Sequence, residues 1–486
     1  MKTFDAMNFS VWQIILLLSI VIGSYFFTHE LFKRYIEFAK TRNWIGRDIH
    51  KKTHPSVAES GGIPFVLGMI PGQILIMIFF PAVWRETLAF SLTVLLSGIV
   101  GFCDDRYTLS SFKKIILMII TGLPLFLLNL DLSSIIWPKW LHWLSYFKIG
   151  FIHINDPIIP ILGQTQLTLI YQLAIPIIIM VLTNGVNMLE GYNGEGSGTS
   201  LIVICFMIFY SLIAKSSEGL IFSLSVIGAL TAFLKFNKFP AKVFPGDVGT
   251  LSLGATIACI GLFGSIEVAM FCAILVHIFN GFYVIASLRG FRERHTIKTQ
   301  DIVITDYSLI EASKEESDHL TLPRLILADK PLTEPLLVRN IWALGVVGGL
   351  FGIVSETVRQ SRWTPLPLFG EGNGGDLHWI WILVALLISG SLYVIIIIKF
   401  KAIRVISFFM ITLLIVGLGL LVLLRILLIQ ADAQWFRYIN WLIAGILAIG
   451  GLIIWYVLSV KHLQMKISKL KEHNGETSNK NKLTPT

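Results

Sequence analysis

Residues Leu167 to Thr183 read LTLIYQLAIPIIIMVLT, and Asn184-Gly-Val-Asn187-Met-Leu-Glu190 follows at once. The first part is predominantly apolar and shows no alternation of period two. Its length is close to the roughly 18–20 residues that a helix needs to cross a bilayer. Backbone groups in hydrocarbon must bond to one another, so the run reads as a helix and not as a barrel strand. The polar residues arrive at its end. Asn184 and Asn187 lie three apart and share a helical face.

The pattern recurs along the chain. Apolar runs lie at about 11–38, 62–83, 87–103, 113–130, 167–183, 199–214, 219–236, 249–264, 267–289, 338–358, 378–398, 404–429 and 437–460, roughly thirteen spans. Composition agrees: 55% of the 486 residues are hydrophobic and only 14% are charged, where a soluble domain has about 25% charged. The sequence thus predicts an all-α polytopic membrane protein. An ordinary globular protein, a disordered chain, collagen and a disulfide scaffold are excluded for its bulk. Cys103, Cys205, Cys259 and Cys272 lie in or at the ends of apolar runs without metal spacing, and read as small packing residues. The first run lacks a cleavage site after a short apolar core, so it reads as a retained helix.

The net charge of +9 belongs with the membrane rather than with nucleic acid. With the N-terminus outside, one set of loops holds Arg42, Arg47, Lys51 and Lys52; Arg106, Lys113 and Lys114; Lys235, Lys238 and Lys242; Arg289, Arg292, Arg294 and Lys298; and Lys399, Lys401 and Arg404. The positive-inside rule places this set in the cytoplasm. Residues 131–166 then form an outer excursion with a short hairpin expected around Phe147–Ile154. Residues 290–337 form a cytoplasmic loop, and the polar tail 466–486 is expected to be disordered.

Unusual polar residues gather at the cytoplasmic ends of these spans, where a charge near hydrocarbon needs a partner or a function. The first loop runs from Asp48 through Lys51, Lys52 and His54 to Glu59 and Gly61-Gly62; alone it is an ordinary basic loop. The second has Asp104-Asp105-Arg106, then Lys113 and Lys114. Adjacent carboxylates repel unless they share a proton or a divalent cation, and oxygen donors beside lysines suit Mg²⁺ and phosphate together. The third continues Asn187 into Glu190-Gly191-Tyr192-Asn193-Gly194-Glu195, whose glycines permit tight turns around a ligand. The fourth is Phe244-Pro245-Gly246-Asp247, opening a new span where unpaired N–H groups favour anions. Asp247 alone would also serve as a simple N-cap. A fifth loop holds Arg289, Arg292, Arg294 and His295; arginine forks bind phosphate, but basic clusters also flank spans without any site. No phosphate loop of the GxxxxGK[ST] kind, zinc helix or nucleophile elbow is present.

Taken together, the segments DIHKKTHPSVAESGG, GFCDDRYTL, TNGVNMLEGYNGEGSG and VFPGDVGTLSLGA resemble the polyprenyl-phosphate N-acetylhexosamine-1-phosphate transferases. The Asn-Gly-rich third loop, the first loop and the stretch Leu320-Thr-Leu-Pro-Arg324 are similar to the archaeal and eukaryotic dolichyl-phosphate branch. The likeness covers about residues 11–358 and implies about ten family-type helices, with about three extra helices over 359–465. The extra helices would serve a homodimer or a partner subunit. Ala58 stands where relatives have Pro, Thr108 where they have Asn, and Glu190 and Glu195 add negative charge to the third loop.

The resemblance implies Mg²⁺-dependent transfer of N-acetylglucosamine-1-phosphate from UDP-N-acetylglucosamine to dolichyl or another polyprenyl phosphate, with release of UMP. This would be the first membrane step of N-glycan or related glycan assembly. By similarity, Asn187 and Asp247 would hold Mg²⁺ (or Mn²⁺), while Asp104, Asp105 and Lys114 would be catalytic beside the phosphates. Phe244 would stack on uracil, and Gly191 and Asn193 would read its edge. Arg292, Arg294 and His295 would bind phosphate and sugar, and Glu59 would face the lipid phosphate. Direct in-line attack is preferred over a covalent intermediate on Asp105, because a lipid phosphate is already ionised at neutral pH. The expected membrane is the plasma membrane of an archaeon or bacterium, or the endoplasmic reticulum of a eukaryote. The rivals are another UDP-sugar or prenyl acceptor in the same reaction class, and a transporter of anionic solutes.

Overall fold

The computed structural model describes residues 9–130, 139–146, 150, 152, 154–161, 163–164, 168–290, 300–305, 307–315, 317–362, 377–430 and 436–482. Helix α1 (Val11–Thr41) leads into an antiparallel hairpin of β1 (Ile45–Arg47) and β2 (Ser56–Ala58). Helices α2 (Gly62–Phe79), α3 (Trp84–Tyr107), α4 (Ser111–Thr121) and α5 (Leu123–Asn129) follow. The short strands β3 (Ile158–Ile159) and β4 (Gly163–Gln164) pair before α6 (Thr168–Leu189). Next come α7 (Glu195–Ala214), α8 (Ser217–Asn237), α9 (Gly246–Gly264), α10 (Glu267–Ala273) and α11 (Leu275–Leu288). A hairpin of β5 (Ile302–Ile304) and β6 (Ile310–Ala312) precedes α12 (Leu322–Leu327) and α13 (Glu334–Gln360). A parallel pair, β7 (Ser361–Arg362) with β8 (Leu377–His378), comes before α14 (Ile380–Lys399), α15 (Arg404–Gln430) and α16 (Phe436–Lys482).

The protein is an integral membrane protein of all-α type. Among the described residues, eleven helices are long and apolar enough to cross a membrane, or twelve when α10 and α11 count as one span bent by 65°. Helix α15 coincides with a further expected run. The bend falls at Ile274, whose φ of −91° and ψ of 7° leave the helical region. The run at 113–130 is likewise divided, at Gly122, into α4 and α5. The outer hairpin expected at Phe147–Ile154 lies largely outside the described residues; the pairing found nearby is β3 with β4. Helix α16 runs through Lys482, into the tail whose polar composition predicts disorder.

Helix α9 is the axis of the bundle and packs against α2, α3, α6, α7 and α8. Small residues let the backbones meet. A side chain at Gly101 of α3 would strike the carbonyl of Asp247, and one at Gly254 of α9 would strike the backbone of Thr183 in α6. Lipid is as apolar as leucine, so such close packing, and not apolar burial, favours helix–helix contact in a bilayer. The outer faces carry exposed Ile14, Phe26, Ile78, Leu387 and Ile398, as a lipid-facing surface requires.

A second cluster joins the later helices to the loops. Leu189 and Tyr192 belong to one buried apolar group with Phe279, Tyr283, Leu325, Ile341, Met410 and Trp455. Trp455 of α16 stacks on Phe279 of α11 with ring centroids 5.0 Å apart. Tyr283 and Ser459 share a hydrogen bond of 2.9 Å. The C-terminal helices therefore brace α11, whose far end lies beside the polar loops.

Candidate active site

The four sequence segments meet at one end of the bundle. Helix α3 delivers Asp104 and Asp105 in its last turn, α4 delivers Lys114 in its first, α6 delivers Asn187 in its last and α9 delivers Asp247 in its first. They surround a cavity of about 730 Å³. Glu59, Gly191, Asn193 and Phe244 line the same cavity. Nine expected site residues thus come together. Arg292, Arg294 and His295 lie outside the described residues.

Lys114 is the centre. Its Nζ is 2.6 Å from Asp104 Oδ2 and 2.6 Å from Asp247 Oδ2. It also donates to Asn187 Oδ1 at 3.4 Å. The Asn187 amide nitrogen donates to Asp247 Oδ1 at 2.6 Å and to Thr250 Oγ1 at 2.8 Å. Three oxygens from three helices therefore converge on one ammonium. Among the described residues, no three His, Cys, Asp or Glu side chains form a metal site. The convergent set is two carboxylates and an amide carbonyl. That all-oxygen set suits a hard divalent cation, and the ammonium already marks the place where positive charge is needed.

The adjacent aspartates do different work. Asp104 Oδ1 accepts the Leu109 backbone N–H at 2.7 Å, while its other oxygen faces Lys114. Asp105 turns away from the cation. Its Oδ1 accepts the backbone N–H of Asp247 at 2.7 Å, and its Oδ2 accepts the Ser60 hydroxyl at 2.8 Å. Asp105 is therefore the cap of α9, so Asp247 is free of the simple capping role that its position allowed. Gly246 is required at this turn: its φ is +64°, and the Asp105 carboxylate fills the space of a side chain. Arg106 donates to Ser60 Oγ at 3.2 Å and lies 3.9 Å above the Trp44 ring centroid.

The glutamates of the third loop are turned inward. Glu195 is fully buried, and its Oε2 accepts the N–H groups of Gly191 at 2.9 Å and Tyr192 at 3.1 Å. Glu190 Oε2 accepts from the Gly196 N–H at 2.6 Å. Both carboxylates staple the backbone of the loop, so they do not simply add negative charge to it. Asn193 is held on two sides: its N–H donates to Glu334 Oε1 at 2.9 Å, and its amide donates to Asp48 Oδ2 at 3.0 Å. Lys51 also pairs with Asp48. Burial pushes the Asp48 carboxyl up, but the hydrogen bonds from Lys51 and Asn193 outweigh it and leave the group below the ordinary aspartate range.

On the neighbouring wall, Phe244 is fixed by its backbone. Its N–H donates to Ala58 O at 2.7 Å, and its carbonyl accepts from Gly61 at 2.8 Å. The first loop and the fourth are therefore one unit, with a parallel bridge from Ala58 to Val243. Glu59 sits at that seam; its carbonyl accepts from the Tyr35 hydroxyl at 2.8 Å.

Further residues shape the candidate site beyond those given a role from the sequence. Ser60 and Thr250 hydrogen-bond to Asp105 and Asn187, and the neighbouring Glu59 and Asp247 were their only signal. Asp301, His319 and Thr321 line the cavity from the loop after α11. Thr321 Oγ1 donates to Asp301 Oδ2 at 2.7 Å. Arg324 shapes that wall: its buried guanidinium donates to the carbonyls of Ser313, Glu315, Asp318 and His319. Nothing in local sequence says that a guanidinium will collect four carbonyls.

The arrangement is a candidate site of a membrane-embedded enzyme: an oxygen cluster and a lysine, set at helix ends beside a shared cavity. Residues 87–265 match glycosyl transferase family 4, and the chain belongs to that family. It is 27% identical over 351 residues to a Sulfolobus acidocaldarius protein provisionally named UDP-N-acetylglucosamine–dolichyl-phosphate N-acetylglucosaminephosphotransferase; the match covers 71% of this chain and 97% of the relative. A glycosyltransferase, provisionally so named, of Methanocaldococcus jannaschii is 30% identical, with 64% and 88% covered. The phospho-N-acetylmuramoyl-pentapeptide-transferase of Dictyoglomus thermophilum is 30% identical, with 57% and 82% covered.

Proposed function

We propose that this enzyme transfers N-acetylglucosamine-1-phosphate from UDP-N-acetylglucosamine to dolichyl or a related polyprenyl phosphate, releasing UMP. The observation that carries the reading is Lys114 held between Asp104 and Asp247 at a cavity where lipid-facing helices end. The names of the relatives support the substrate class. An anionic-solute transporter would gather its polar groups near the middle of the helices, whereas these lie at their ends.

Asp247 and Asn187 would hold Mg²⁺, with Mn²⁺ as a substitute. The metal, when bound, neutralises pyrophosphate charge and polarises the phosphorus that is attacked. Lys114 supplies a second positive charge to phosphate oxygens. Asp104 orients Lys114 through their ion pair. Phe244 would offer its ring to uracil, with Gly191 and Asn193 at the base edge. Glu59 would stand on the side of the lipid phosphate, and Arg292, Arg294 and His295 would serve phosphate and sugar. Asp105 has both carboxylate oxygens occupied by the start of α9 and by Ser60, which disfavours it as a nucleophile. Direct in-line attack by the ionised lipid phosphate is therefore the preferred route.

The basic loops favour a cytoplasmic site. The product would begin glycan assembly at the plasma membrane of an archaeon or bacterium, or at the endoplasmic reticulum of a eukaryote. Pairing of the extra helices as a homodimer is part of the same reading. The test is UMP release by the full chain in detergent with UDP-N-acetylglucosamine, dolichyl phosphate and Mg²⁺, against EDTA. Release that needs all three is expected. No release across several UDP-sugars and prenyl phosphates, from folded protein, would sink the proposal.

A further inference from the structure

The hairpin loop after β1 reaches across to the third loop and meets it twice. The His50 ring stacks on Tyr192, with centroids 4.5 Å apart and planes at 27°. Asp48, 3% exposed, accepts the Asn193 amide, and Asn193 is itself 4% exposed. Lys51 closes the cluster, pairing with Asp48 and lying 3.9 Å from Glu334. Asn193 is thus fixed at its backbone by Glu334 and at its side chain by Asp48.

The chemistry of this contact sets the direction of the amide. An ionised carboxylate accepts hydrogen bonds and donates none. The nitrogen of Asn193 must therefore face Asp48. A flipped amide would press its carbonyl oxygen against the carboxylate and leave the Asp48 oxygen without that donor. Asn193 Oδ1 takes no hydrogen bond from a described residue, yet it is not one of the buried atoms left without a partner. Asn193 lines the cavity, so Oδ1 is the acceptor of this side chain left for a ligand.

We propose that Asp48 is a specificity-determining residue, which locks the Asn193 amide so that the site presents an acceptor to the nucleobase and selects uracil over cytosine. The proposal rests on the reading of Asn193 as a base-edge contact. Uracil offers the N3–H donor flanked by carbonyl acceptors, which meets Oδ1 and the remaining amide N–H. Cytosine reverses both partners: its N3 is an acceptor, and its exocyclic amine is a donor. To pair with cytosine, Asn193 would have to turn over and lose Asp48. Asp48 touches no substrate in this scheme; it acts through Asn193 and is a positioning residue.

The test is the affinity of the full-length protein in detergent for UDP and for CDP, with the melting temperature of each variant. Asp48→Asn keeps the shape but can donate as well as accept, so both amide directions become available. Its preference for UDP over CDP is expected to fall about tenfold or more, the worth of one hydrogen bond to a charged group. Lys51→Met removes the ion pair but leaves the acceptor, and is expected to keep the preference. A folded Asp48→Asn that keeps the preference overturns the proposal, as does an equal loss in Lys51→Met. Should Asp48→Asn fail to fold, the unaltered protein gives the answer. UDP methylated at N3 lacks the donor and is expected to bind at least about tenfold more weakly than UDP; equal binding overturns the proposal. Asn193→Ala separates the layers. If it leaves UDP affinity unchanged, the base-edge reading fails and the proposal with it. If it weakens UDP while Asp48→Asn keeps the preference, only the role of Asp48 fails.

Discussion

Helices α9 and α14 are similar in length and both are apolar, yet they occupy opposite places. Every residue of α9 from Val248 to Gly264 is buried, whereas α14 buries only Ala385 and Ser389. The buried helix carries Gly249, Thr250, Ser252, Gly254 and Thr256. The exposed one carries Leu386, Leu387, Ile395 and Ile398. In water the larger apolar side chains would mark the core. In a bilayer they mark the surface, because lipid solvates them as well as protein does, and the core is chosen by what packs closely. The site grows from the start of the packed helix: Asp247 opens α9 and is held there by Asp105, Lys114 and Asn187.

The largest expected effect tests that link. Asp247→Ala should lower Mg²⁺-dependent UMP release by about 100-fold or more, as loss of a charge-stabilising group does. Retained turnover would falsify the cation site. The next effect separates the two helices by packing alone. Gly254→Leu should destabilise the protein by about 1–3 kcal/mol or more, since overpacking displaces neighbours, and should lower its melting temperature in detergent. Gly390→Leu on α14 meets open space and should change stability by less than about 0.5 kcal/mol. Equal effects would break the contrast between the helices.

A smaller effect belongs to the rim, outside both helices. The Asp48 carboxyl is lowered on folding, so its stabilising contribution is present above the unfolded value of about 3.9. It is lost as pH falls through the lower folded value. Asp48→Asn should therefore melt below the parent from pH 7 to 5, with the gap closing on acidification below about pH 4. A gap that widens with acid contradicts the sign. The smallest effect is expected for Cys205→Ala, within about 1 kcal/mol and with normal turnover, because the thiol lies outside the site and touches no catalytic group.

Much of this was legible beforehand. Apolar length alone gave the helical membrane class, because hydrocarbon allows few solutions for a backbone. Asp104, Lys114, Asn187 and Asp247 stood out because a charge near hydrocarbon needs a partner or a function, though Asp247 alone could have been a simple N-cap; the structure brings the four together. The break at Ile274 was not legible, since no Pro or Gly marks it. Asp105 was read as a twin of Asp104, and its capping of α9 could not be seen from an adjacent pair. Glu190 and Glu195 were read as loop charge, because the backbone N–H groups they bind come within reach only once the loop is folded.

Composition and order in the chain thus decided the solvent, the helices and which polar residues were out of place. Tertiary structure alone decided which of two neighbouring aspartates faces the cation, and it alone brought Asp48 to Asn193 and gathered the Ser313–His319 carbonyls around Arg324. The physical reason is range. Hydropathy and helical period are properties of consecutive residues, whereas a hydrogen bond between Asp105 and Asp247 joins groups 142 positions apart. Such a contact exists only after close helix packing has set both ends in place.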